Sequence, residues 1–123
     1  MFKPPVDYTD FCKKVVEDDP SVILAGVISI NKVLGLYIRP GGWAPDEKDI
    51  PRFITQVQMA VGIPQTNEKY FGPVGYVMIN FRDLDNFNFP MGQQLMLVIL
   101  AKDPYDHRAL VRKIRNSIMT ASA

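Results

Sequence analysis

The chain has 123 residues, a formal net charge of +1 from 14 basic and 13 acidic side chains, and one cysteine. That length fits a single domain with one packed core, and a content of 47% hydrophobic and 11% aromatic residues excludes wholesale disorder. The charge balance argues against a general nucleic-acid binder, which carries a basic excess. The lone Cys12 cannot close an internal disulfide; it fits a reducing cytosol and leaves pairing between chains open.

The first residues, Met1-Phe2-Lys3-Pro4-Pro5, lack the apolar run of a signal peptide. The two most apolar segments, 22–30 and 95–101, are half or less of the ~20 residues a spanning helix needs. The expectation is a soluble, cytoplasmic chain: a Pro-anchored tail over residues 1–7, one domain over 8–119 and a short tail over 120–123.

A first helix is predicted over about 10–18. Thr9 is its N-cap, Phe11, Cys12 and Val15 share its apolar face, and Asp18-Asp19-Pro20 stops it. Residues 22–30 are β-branched and nearly unbroken by polar residues, the pattern of a central strand covered on both faces. Asn31-Lys32 makes a tight turn into a second strand over 33–39, and Pro40-Gly41-Gly42 ends it.

Asp46, Glu47 and Asp49 mark the start of a long middle helix, with Asp49 as N-cap and Pro51 in the first turn. Ile50, Phe53, Ile54, Val57 and Val61 form its buried stripe. Gly62 and Pro64 are expected to kink or break it, with helix resuming over 65–71 before the Gly72-Pro73 stop. An alternating strand follows over 74–82, then a hairpin turn over 83–86 and a short strand over 87–91. A turn at Gly92-Gln93 leads into a nearly continuous apolar strand over 94–101. Asp103 caps the last helix with Pro104 at its first position, and Leu110, Val111, Ile114 and Ile118 form its apolar face, with His107 in line.

The order α-ββ-α-βββ-α predicts an α/β sandwich built on one antiparallel sheet. Three stretches carry a resemblance to a known family: "SVILAGVISINKVLGLYIRPG", "FGPVGYVMINF" and "QQLMLVILAKDPYD". Together they resemble the roadblock / dynein-light-chain superfamily, with its profilin-like α/β sandwich, and look closest to small archaeal members of uncertain function. Longin-like and PAS-like domains use similar element orders. The resemblance implies a five-stranded antiparallel sheet with the middle helix on one face and the terminal helices on the other. It further implies dimers formed through the middle helix and third strand, a scaffolding or regulatory role toward small Ras-like GTPases or motor and signalling complexes, and no catalytic residues. The Gly62/Pro64 interruption departs from the family pattern and puts that dimer surface in question.

No residue set supports catalysis or a metal site, so no cofactor is expected. His107 is the only histidine, without a second histidine or cysteine to help bind a metal and without a nucleophile to activate. Cys12 reads as a small buried hydrophobe. Asp46, Glu47 and Asp49 lack the spacing of a calcium loop, and Pro40-Gly41-Gly42 lacks the ending of a phosphate loop. Asp83 and Asp85 read as turn residues.

Interaction residues are the better candidates. Arg52, Thr55, Gln56 and Met59 lie opposite the buried stripe of the middle helix, a face poor in charge that suits a protein contact. With Tyr76 and Met78 of the third strand they form the expected homodimer surface. Trp43, in a Gly-rich loop, either folds back on the core or anchors a partner. Arg108, Arg112 and Arg115 share one ridge of the last helix, read as a solvated flank, as a contact for an acidic partner protein or as a contact for an anionic membrane surface. The leading functional reading is a non-catalytic dimeric scaffold or regulator. The alternative is a small-molecule sensor with a pocket between sheet and helix, lined by residues such as Tyr37, Tyr76 and Met78. Neither nucleic acid nor a membrane span enters either reading.

Overall fold

A computed structural model describes residues 7–122, apart from the side chain of Ser122. The Pro-anchored tail lies almost wholly outside the described residues. The main elements follow the predicted order: α1 Thr9–Asp18, β1 Val22–Ile28, β2 Val33–Ile38, α2 Ile50–Gln65, a one-turn α3 Glu68–Phe71, β3 Val77–Asn80, β4 Asp85–Gly92, β5 Leu95–Ala101 and α4 His107–Ser122. The strands form one antiparallel five-stranded sheet in the order β2-β1-β5-β4-β3. The two apolar runs, β1 and β5, therefore sit side by side at its centre, each flanked by two strands. β1 and β5 match the near-continuous apolar pattern of strands buried on both faces.

One face carries the core. Cys12, Val15 and Val16 of α1 pack with Val22, Ala25 and Val27 of β1, with Phe87, Phe89, Leu97 and Ile99 of the neighbouring strands, and with Leu110, Val111 and Ile114 of α4. Gly35 lets α1 approach this closely. A Cβ there would lie 2.5 Å from the Tyr8 carbonyl carbon and 2.8 Å from the Thr9 nitrogen, and the Tyr8 N–H donates to Leu34 O at 3.0 Å. Arg39 locks the end of α1: its guanidinium donates to the carbonyls of Val22 and Asp19, both at 2.9 Å, and to that of Val16. Those of Val16 and Asp19 belong to the end of the helix, where carbonyls otherwise lack partners. α2 lies on the other face.

Several boundaries differ from the sequence expectation, each for a local reason. Thr9 is the first residue of α1 rather than its cap, because Asp7 Oδ1 accepts from the Thr9 N–H at 2.9 Å and from its hydroxyl at 2.7 Å. α2 runs through Gly62 and Pro64 to Gln65; the proline falls in the last turn, where one missing donor costs little continuity. The β3–β4 turn is closed earlier than expected by Phe81 N–H donating to Leu84 O, so Asp85 and Asn86 lie in β4 and are buried. Gln93 and Gln94, both at positive φ, make the β4–β5 turn. α4 begins at His107, where the Asp106 carboxylate accepts from Ala109 N–H at 3.0 Å; Asp103-Pro104 is a cis peptide upstream of the helix.

Candidate functional site

Among the described residues no cluster of three His, Cys, Asp or Glu side chains could hold a metal ion, and no helix is long and apolar enough to cross a membrane. Burial pushes the Cys12 thiol up to about 11, away from the thiolate that reactive cysteines require. The His107 ring stands edge-on to Phe87 with centroids 5.2 Å apart.

Ionisable groups at the core's margin are engaged structurally. Burial raises the Asp19 carboxyl, but the Ser21 hydroxyl and N–H and the Lys113 ammonium outweigh it, so its pKa stands below the ordinary value. Lys113 Nζ lies 3.2 Å from Asp19 Oδ2 and links α4 to the end of α1. Asp85, read from sequence as a turn residue, accepts from the Tyr105 hydroxyl and the Asn80 amide, which hold its pKa below the ordinary value.

The outer face of α2 exposes apolar side chains. Met59 is 59% exposed and Ile63 68%; Thr55 is exposed beside them, whereas Gln56, expected on the same face, is exposed but borders the space between α2 and the sheet. Thr55 returns its hydroxyl to Pro51 O at 3.1 Å. Arg52 pairs with Asp49 at 3.4 Å and places its guanidinium over Phe53. β3 is one open edge of the sheet: no backbone hydrogen bond runs outward from Val77–Asn80 among the described residues. At the opposite edge, β2 is partly closed by Tyr8.

The other sequence-selected residues are distributed differently. Tyr76 and Met78 face the terminal helices, half-buried against the core. Tyr76 stacks on Phe89 at 5.4 Å, and the Arg115 guanidinium lies 5.5 Å from its ring. Arg115 also covers Gly75, where a Cβ would overlap the guanidinium. Arg108 and Arg112 are exposed and make no ion pair among the described residues, so the three arginines are not equivalent.

The space between α2 and the sheet is the second candidate site. A cleft of about 920 Å³ opens there. Leu24, Gly26, Ile28, Val98 and Leu100 floor it, and Ile50, Phe53, Ile54 and Val57 roof it, with Trp43 and Pro45 among its lining residues. Tyr37, Tyr76 and Met78, expected in such a pocket, point to the opposite face of the sheet and do not line it. The registers Ala25↔Tyr37 and Gly26↔Leu36 show why: side chains alternate faces, and Leu36 is the one on the cleft side.

Sequence reasoning missed four contributors. Arg39, just past β2, ties to the end of α1, and Gln58 ties α2 to the end of β1. Asn86 and Asn88, two apart in β4, point to the α2 side and bond each other's amides at 2.9 and 3.2 Å. Only the two-residue spacing of identical polar side chains within a strand could have signalled this pair.

No protein-family model matches the sequence, and no curated protein matches it. Solved structures do match in shape. A Roadblock/LC7 domain from Streptomyces avermitilis superposes with a TM-score of 0.77 at 15% identity, over 94% of this chain and 95% of that one. The gliding protein MglB from Thermus thermophilus gives 0.73 at 12% identity, over 96% and 88%. An MglB in a tetrameric arrangement gives 0.76 at 11% identity, also over 96% and 88%. With its element order, its sheet topology and these superpositions, the chain has the Roadblock/LC7 fold.

Proposed function

We propose that this chain is a non-catalytic, self-associating regulatory domain that binds a second copy of itself and a further protein. Two observations carry the reading: the exposed Met59/Ile63 face of α2 and the open edge of β3. An exposed apolar helix face is a contact surface, and an unpaired strand edge is a template for extending a sheet across a two-fold axis. A similarly folded MglB occurs in a tetrameric arrangement, which supports self-association. A small Ras-like GTPase is the further partner that the likeness to roadblock-type domains offers.

Light scattering at micromolar concentration tests the first part. A dimer is expected, and Thr55→Glu with Met59→Glu dissociates it, because buried unpaired charge is costly. A strict monomer at the highest soluble concentration removes the proposal. Capture of partners from the native cell, with GDP- and GTP-analogue-loaded arms, tests the second. A GTPase retained by the wild type supports it; recovery of no GTPase in either arm removes the GTPase from the reading.

A further inference from the structure

α2 is anchored at several points along its length: Ile54, in its N-terminal half, is only 7% exposed. Val61 is fully buried, and the Gln58 amide is bonded to the carbonyls at the end of β1. Phe53, next to the buried Ile54, lines the cleft and is still 37% exposed. The protein's own side chains thus leave about 920 Å³ between aliphatic walls, within the ~300–1,000 Å³ typical of small-molecule sites. Charged groups border the cleft only at Arg82, Asp83 and Lys102. Arg82 is matched by Asp83 at 2.9 Å. Lys102 makes no ion pair among the described residues. A shallower polar depression of about 340 Å³ adjoins this end, with Asp85 and Asp103 also in its wall. Asp85 is already committed to Tyr105 and Asn80, and Asp103 does not line the cleft itself.

A long apolar cleft with one unmatched cation at its charged end is complementary to a single-chain amphiphile with an anionic head. We propose that the cleft binds a long-chain carboxylate, its alkyl chain between α2 and the β1–β5 floor and its head group against Lys102. Gln56 of α2 also lines the cleft, whereas Thr55 and Met59 do not.

The sole tryptophan, Trp43, borders the cleft and supplies the reporter. Bromododecanoic acid, kept below its micellar concentration, is expected to quench Trp43 saturably, and unlabelled dodecanoate to displace it. Gly26→Leu should abolish this quenching while circular dichroism shows the fold intact. A Cβ at Gly26 meets nothing nearer than Leu36 Cδ1 at 3.5 Å, so the new side chain fits the strand and fills the floor. Lys102→Glu should weaken dodecanoate roughly fivefold, the scale of one exposed ion pair exchanged for a repulsion, and leave dodecanol unchanged. The monomeric Thr55→Glu/Met59→Glu variant should bind as the wild type does, so this proposal and self-association fail separately. Absence of saturable quenching, or quenching that Gly26→Leu leaves unaltered, overturns the site. Equal affinity for dodecanol and dodecanoate, unmoved by Lys102→Glu, overturns the carboxylate.

Discussion

The side-chain amide of Gln58 donates to the carbonyl of Ser29 at 3.0 Å and to that of Ile30 at 2.6 Å, so a helix residue completes the hydrogen bonding of the β1 terminus. Gln58→Leu keeps the bulk and removes both bonds. It should cost about 1–2 kcal/mol and loosen α2 before the sheet. Hydrogen exchange checks this: faster exchange across α2 with unchanged protection in β1 and β5 is expected, and uniform loss in all three would show that the bond does not act locally.

The Asn86–Asn88 pair should behave as a unit. Asn88 is fully buried, and its amide also reaches Val77 O at 3.4 Å, while that of Asn86 reaches Ile99 O at 3.3 Å. Removing one partner strands the other in an apolar setting, whereas replacing both removes the mismatch. Asn88→Leu alone should lose about 1–3 kcal/mol. The double change with Asn86→Leu should lose less than the sum of the single changes, measured by a urea-denaturation cycle. Strict additivity would show that the two amides act independently.

The Tyr105–Asp85 bond sets a pH dependence at both ends of the scale. The folded-state pKa of Asp85 is lowered from 3.8 by the Tyr105 hydroxyl and the Asn80 amide. Its contribution to stability is therefore full above 3.8 and is lost as pH falls through the lower folded-state value. Burial first, and then Asp85, raise the Tyr105 pKa above 10.0. The phenol's contribution is full below 10.0 and is lost as pH rises through the folded-state value. The stability advantage of wild type over Tyr105→Phe should form a plateau between these limits and shrink beyond each. A pH-independent difference in chemical denaturation would contradict the assignment.

Cys12 should be inert in the native state. Its thiol is fully buried and pushed up to about 11, so iodoacetamide near neutral pH should label it only in urea. Labelling of the folded protein at the rate of a free peptide thiol would place the sulfur at the surface.

The succession of elements was legible because β-branched runs, proline stops and amphipathic spacing all pointed the same way. The misread boundaries share one cause. Asp85-Asn86 has turn composition, yet Tyr105, Asn80 and Asn88 satisfy these side chains inside β4. Asp103-Pro104 looks like a helix start, but Asp106 supplies the cap. Partners outside the immediate dipeptide decided both cases, and Tyr105, 20 residues from Asp85, lies beyond any local window. The candidate surfaces divide similarly. Helical spacing places Thr55 and Met59 on the exposed side of α2, but it places Gln56 there too, and Gln56 lines the cleft. The cleft could not be read from spacing, because Leu24, Ile28 and Leu100 read as ordinary core, and only the seating of α2 shows the space between them and the helix.

The pairing of β1 with β5, in which Ala25 lies opposite Ile99, has a consequence for how the chain reaches its native state. The centre of the sheet joins the beginning of the sequence to its end, so the most buried strand waits for the last one to be made. During synthesis α1, β1 and β2 can form only a three-element fragment with one side of β1 unpaired. Such long-range closure slows folding and leaves apolar edges open meanwhile. Fragments ending before β5 should be held by chaperones or aggregate, and addition of the β5 segment should mark the point at which a ribosome-bound chain becomes resistant to protease.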